Sequence, residues 1–156
     1  MSQSFAQSWV HIIFSTKDRY PFLQDQKTQQ RMHAYIGKIC DDLKCQPSFV
    51  GGTADHIHIL TNLNKNLPLS IFIEKVKKSS SKWIKTIDCS NNIINQFYWQ
   101  RGYAAFSVSQ SAIDAVKQYI ATQAKHHQKQ NFQDELRKWY LPIISLTMNG
   151  ICGTEE

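Results

Sequence analysis

The chain has no apolar run approaching the roughly 20 residues needed to cross a bilayer as a helix. Its start, Met1 to Ser8, is polar and lacks the apolar segment of a signal peptide, so a cytoplasmic protein with no membrane partner is expected. Cysteine is sparse. Cys40, Cys45, Cys89 and Cys152 form no Cys-x-x-Cys pair and keep no zinc-finger spacing to the histidines, which argues against structural zinc and for free thiols in a reducing compartment. No Walker-type glycine-rich loop is present, so the sequence offers no ATP site. Internal repeats, low-complexity tracts and linkers are also missing, and 156 residues suit one domain, 1–156, with a real core. Acidic residues are in short supply, 12 against 18 Lys plus Arg, for a formal charge of +6. That balance favours polyanionic partners, chiefly nucleic acid, unless it serves solubility alone. With 42% hydrophobic residues and a mean hydropathy of -0.42, the composition is that of an ordinary soluble globular domain.

What is present is patterned. Trp9 to Ser15 alternates, with Val10, Ile12 and Phe14 on one face and His11, Ile13 and Ser15 on the other, as in a strand covered on both sides. After the polar loop Lys17 to Phe22, the spacing of Met32, Tyr35, Ile36, Ile39, Cys40 and Leu43 predicts a helix over 24–43. Pro47 opens an extended segment read as two short strands joined at Gly51-Gly52. A second amphipathic helix, Leu69 to Thr86, carries Leu69, Phe72, Ile73, Val76, Trp83 and Ile84 on one stripe and Lys75, Lys78, Lys82 and Lys85 on the other side. Asp88 to Asn95 reads as a loop and Phe97 to Ser107 as extended and aromatic, broken at Gly102. Ser109 to Gln130 reads as a third helix, with Ser111 and Asp114 as a capping pair and Ile113, Val116, Ile120 and Ala124 as its apolar stripe. A short fourth helix over 131–139 and a loosely held or strand-forming tail over 141–156 complete the chain. The expected fold is α+β and ferredoxin-like, a central antiparallel sheet with helices mainly on one face.

The most informative segment is Phe49-Val-Gly-Gly-Thr-Ala-Asp-His-Ile-His-Ile-Leu60. Residues two apart in a strand share a face, so His56 and His58 project together while Ile57 and Ile59 turn to the core. Two imidazoles side by side can share one divalent metal, or they can be one hydrogen-bonded and one exposed strand residue. On the third helix Tyr119 and Gln123 stack four residues apart at the edge of the apolar stripe. The amide oxygen of Gln123 is a neutral hard ligand. With His56 and His58 it would complete a site that binds a divalent cation and leaves room for substrate oxygens. A tyrosine hydroxyl, with a pKa of about 10, becomes a nucleophile only when activated. A metal on a scissile phosphate would supply Lewis-acid polarisation and offset charge in the transition state. The plainer alternatives are a packing tyrosine and a solvated glutamine. His126 falls two turns beyond Tyr119, suited either to a phosphate contact or to the negative end of the helix dipole.

In combination these residues resemble a known family. His56-Ile57-His58 after Gly51-Gly52-Thr53-Ala54-Asp55 resembles the HUH motif, two histidines around a hydrophobic residue. Trp99-Gln-Arg-Gly-Tyr103, Phe106-Ser-Val-Ser109, Tyr119-Ile-Ala-Thr-Gln123 and His126-His127 resemble the second half of the single-tyrosine HUH transposases of insertion sequences that move as single-stranded DNA. The resemblance runs from Trp9 to Trp139. It implies a compact α+β domain and a homodimer in which the tyrosine helix of one subunit completes the site of the other. It implies Tyr119 as nucleophile, His56, His58 and Gln123 as ligands of Mg²⁺ or Mn²⁺, and single-stranded DNA with hairpins near element ends as substrate.

The lysine row Lys75, Lys78, Lys82 and Lys85 would then suit phosphate contacts, aided by Lys17 and Arg19, or be a solvated helix face. Trp83 and Tyr98 could stack on unpaired bases or pack in the core. Two rival functions remain: a hairpin-binding protein that has lost catalysis or been domesticated, and a metal-dependent phosphodiesterase in which water replaces Tyr119.

Overall fold

A computed structural model describes residues 3–88 and 90–123. The chain runs β1 (Trp9–Ser15), α1 (Gln26–Asp42), β2 (Ser48–Gly52), β3 (His56–Asn62), α2 (Leu69–Ile87), α3 (Asn92–Asn95), β4 (Ala104–Ser107) and α4 (Ile113–Ala121). The strands form one antiparallel sheet in the order β2-β3-β1-β4. The succession β-α-β-β-α-β with that order is the ferredoxin-like arrangement expected from the pattern.

Local chemistry sets the boundaries. Asp25 caps α1, its carboxylate accepting from the Thr28 amide at 2.8 Å, so the helix begins at Gln26 rather than at Gln24. Asn91 caps α3 in the same way, accepting from the amides of Ile93 and Ile94, and turns part of the expected Asn-rich loop into a helical turn. Between Phe97 and Ser107 only Ala104–Ser107 pairs as a regular strand, and Trp99 reaches Thr16 through an isolated bridge. A short 3₁₀ turn, Gln110–Ala112, precedes α4, and no side chain caps that helix. The expected Ser111–Asp114 capping pair is therefore not made, because Ser111 is already inside the 3₁₀ turn.

Gly51 and Gly52 do not form the β2–β3 turn, which is Thr53-Ala54-Asp55. Both glycines lie inside β2 and are there for close approach. A Cβ on Gly51 would stand 2.6 Å from Ile120 Cγ2 and 2.8 Å from the Ile120 carbonyl oxygen of α4, and one on Gly52 would run into the His56 carbonyl.

The two sheet faces are covered differently. Ile12, Phe14, Ile57 and Ile59 pack against Met32, Ile36 and Ile39 of α1 and Phe72, Val76 and Ile84 of α2 in one continuous core. On the other face Leu60 packs with Val116, Tyr119 and Ile120 of α4. Among the described residues α1 and α2 thus share a face and α4 covers the other. Among the described residues no helix is long and apolar enough to cross a membrane. The expected helix 131–139, the tail 141–156, His126 and the end of the third helix from Ala124 lie outside the described residues.

Candidate metal and nucleophile site

The pairing of β1 with β3 fixes which residues share the α4 face. His58 stands opposite Ile13 and Leu60 opposite His11, so His11 and His58 are diagonal neighbours on that face. Both are buried, as is His56. A buried imidazole needs a hydrogen-bond partner to offset its lost hydration. His58 Nδ1 lies 2.9 Å from His11 Nε2, and the two rings stack with centroids 5.2 Å apart. His56 Nδ1 lies 2.6 Å from Asp55 Oδ1 and 2.8 Å from Thr53 Oγ1. Arg19 in turn grips the second carboxylate oxygen of Asp55 at 3.2 Å.

The ionisation of these groups follows from their surroundings. Burial pushes His11 down to about 4, so it is neutral at pH 7. Burial alone would raise the Asp55 carboxyl, but the hydrogen bond and charge of His56, the Arg19 guanidinium and the Thr53 hydroxyl outweigh it and hold the group down at about 2. Asp55 is therefore an anion that accepts from His56 Nδ1.

α4, which ends at Ala121, and the turn after it bring the remaining side chains. Gln123 is fully covered; its Oε1 lies 3.5 Å from His56 Nε2, and its Nε2 donates to the Tyr119 carbonyl at 3.3 Å. The Tyr119 ring stands edge-on to His58, centroids 5.6 Å apart, and only 9% of the residue is exposed. Tyr119 and Gln123 were expected at the edge of the apolar stripe. They lie instead on the inward face, over a sheet surface that carries His11, His56 and His58 beside Leu60.

The four residues singled out from the sequence, His56, His58, Tyr119 and Gln123, are thus brought together within one chain. Among the described residues no three His, Cys, Asp or Glu side chains converge as a metal cluster. The donor set here is two imidazoles and an amide, and it fits a divalent cation in kind. Two ligands at right angles around an ion, each at about 2.1 Å, stand about 3 Å apart, close to the 3.5 Å between His56 Nε2 and Gln123 Oε1. Each histidine is also held at Nδ1, the outer-shell pattern of metal-bound imidazole.

The IS200-like transposase family matches the chain over residues 4–123, a span that contains every residue of this site. The chain belongs to that family. Its fold is similar to a candidate transposase from Deinococcus radiodurans R1, with 17% identity over 79% of this chain and 96% of that one and a TM-score of 0.60. It is also similar to a REP-associated tyrosine transposase solved with a REP hairpin, with 15% identity over 81% of this chain and 73% of that one and a TM-score of 0.53. No curated protein matches the sequence.

For a transposase, the placement of the basic residues matters. Lys75, Lys78 and Lys82 are exposed on α2, while Lys85 sits 4.1 Å over the ring of exposed Tyr98. That row lies across the sheet from His56 and His58, so the structure does not bring it to the site. Lys17 is exposed at the end of β1, whereas Arg19 is engaged by Asp55. Trp83 stacks on Tyr35 at 4.5 Å and is a packing residue.

Sequence reasoning missed three contributors, His11, Thr53 and Asp55, which hold the histidines. The sequence put His11 on the strand face opposite Val10, Ile12 and Phe14, but its pairing with His58 required the β1–β3 register. Lys77, half-buried, donates to the carbonyls of Gln100 and Gly102 and ties α2 to the segment before β4.

Proposed function

We propose that this transposase cleaves and rejoins single-stranded DNA at the ends of a mobile element through a covalent 5′-phosphotyrosine on Tyr119. The observation that carries the reading is the convergence on one sheet face of Tyr119 and Gln123 with His56 and His58. His56, His58 and Gln123 would hold Mg²⁺ or Mn²⁺, which supplies Lewis-acid polarisation of the scissile phosphate and offsets its developing charge. The protein's own residues do the rest. Asp55, Thr53 and His11 hold the imidazoles in orientation. The Tyr119 phenol oxygen bonds to phosphorus as the bond to the 3′ oxygen breaks; the phenol gives up its proton and the departing oxygen takes one. The linkage keeps the phosphodiester energy, so a free 3′ hydroxyl can reverse the step and rejoin the strand without ATP.

Hairpin-bearing DNA as substrate is supported by the REP hairpin held by one of the similar structures. The basic face of α2, with Lys75, Lys78, Lys82 and Lys85, is a second surface for phosphate contact. Lys17 adds charge at the sheet end where β1 and β3 bring His56.

The test uses single-stranded hairpin DNA, labelled on the 3′ side of the cut in the strand that carries the scissile phosphate, with Mn²⁺. Label that stays on denatured protein supports the proposal. Label released as a free 5′ phosphate points to a water nucleophile, and binding without cleavage points to a catalytically silent hairpin binder.

The homodimer is part of the same reading. The packing of Tyr119 on His58 of its own chain supports a site completed in cis, whereas the resemblance implies exchange of the tyrosine helix between subunits. Mixing a Tyr119→Phe copy with a His56→Ala copy decides, since only a site completed in trans regains cleavage in the mixture.

A further inference from the structure

We propose that His11 is a positioning residue that holds His58 in the tautomer needed for cation binding, an imidazole anchored by a second imidazole, while His56 is anchored by a carboxylate. The inference rests on the metal-site reading above and deepens it.

Two ring nitrogens 2.9 Å apart share one proton, so either His58 Nδ1 or His11 Nε2 donates. Only the first arrangement leaves His58 its Nε2 lone pair as a ligand atom. In water a neutral histidine can take either tautomer and rotate. In this fold His11 is 2% exposed, set on the central strand β1 and flanked by His58 and the Tyr119 ring, whose centroid lies 6.3 Å from its own. Its Nε2 is therefore presented to His58 by packing rather than by chance encounter. The residue sits on the rigid middle of the sheet, where a supporting contact keeps its geometry best.

The two anchors differ in kind. His56 is bonded to an anion, Asp55, itself steadied by Arg19. His58 is bonded to a ring that is wholly inside the protein. A carboxylate accepts only, so it dictates the tautomer of His56 outright. An imidazole can donate or accept, so its chemistry alone leaves the orientation of the His11–His58 proton open.

The experiment uses the full chain with Mn²⁺ alone as the probe, read by the electron paramagnetic resonance of free Mn²⁺. His11→Phe keeps a flat ring and removes the acceptor; His11→Gln restores an acceptor at similar reach. His11→Phe is expected to weaken Mn²⁺ binding by about tenfold or more, the usual loss when an outer-shell partner of a metal-bound histidine is removed. His11→Gln is expected to recover most of it. Equal Mn²⁺ affinity in wild type and His11→Phe overturns the proposal while leaving the metal site standing. A separate readout needs neither a variant nor a metal: the ¹⁵N spectrum of His58 in the metal-free wild type. A proton on Nδ1 supports the proposal, and a proton on Nε2 overturns it, even where His11→Phe fails to fold. Wild-type protein that binds no Mn²⁺ while His58 carries its proton on Nδ1 overturns the metal reading instead.

Discussion

On one face of the sheet Ile12, Phe14, Ile57 and Ile59 meet Ile36, Phe72 and Val76; on the other, His11, His56 and His58 meet Tyr119 and Gln123. The same strands build both, since alternate residues of β1 and β3 point to opposite sides. The first face stabilises by removing hydrocarbon from water, about 25 cal/mol per Å². The second buries polar rings, which is tolerable only because each is hydrogen-bonded. Stability is thus concentrated on one side and chemistry on the other, and substitutions should separate the two.

The largest expected effect is on the apolar side. Phe72→Ala should cost about 3–5 kcal/mol in denaturant unfolding, the usual range for a buried phenylalanine, yet leave DNA cleavage intact below the unfolding temperature. His56→Ala should do the reverse. Cleavage at low Mn²⁺ should fall by about a hundredfold or more, while unfolding changes by no more than about 2 kcal/mol for the partner left behind at Asp55. Comparable loss of both properties in either variant would break the separation.

Gly51→Ala tests how α4 is seated. The new methyl would stand 2.8 Å from the Ile120 carbonyl oxygen, a backbone atom that can yield only if the helix moves. About 1–3 kcal/mol of overpacking is expected, together with reduced cleavage because Tyr119 rides on that helix and Gln123 follows its C-terminal end. Unchanged cleavage would mean that the position of α4 is not critical.

The smallest effect concerns pH. His33, half-buried on α1 and away from the site, is pushed by burial down to about 4. Below its ordinary value of 6.5 the unfolded chain takes up a proton that the native chain refuses, so stability falls as pH drops from 6.5 towards 4. After discounting for partial exposure, the loss is about 1 kcal/mol. His33→Leu should remove that part of the slope in thermal unfolding; an unchanged slope would place the acid sensitivity elsewhere.

Much of this division can be read from the sequence. The alternation in His56-Ile57-His58-Ile59 already sends imidazoles one way and isoleucines the other, and the helical stripes of α1 and α2 already match an apolar sheet face. The α4 stripe was harder. Counting apolar residues put Tyr119 and Gln123 at its edge, because the count assumes a wholly hydrocarbon partner, whereas the surface beneath sets three histidines beside Leu60. The anchors were hidden for a different reason. The contact of His11 with His58 joins residues 47 apart and depends on strand register, and the hold of Asp55 on His56 depends on a three-residue turn that the glycine pair had seemed to supply. The lysine row was correctly placed on one side of α2, but only the topology puts that side across the sheet from the histidines.

The central claim is that Tyr119 is the nucleophile, and the most direct measurement is mass spectrometry of protein digested after reaction with single-stranded hairpin DNA and Mn²⁺. A nucleotidyl phosphate on the peptide carrying Tyr119, absent from Tyr119→Phe protein that still binds the DNA, is the predicted result. An adduct mapped to another residue, or cleavage undiminished in Tyr119→Phe, would contradict it.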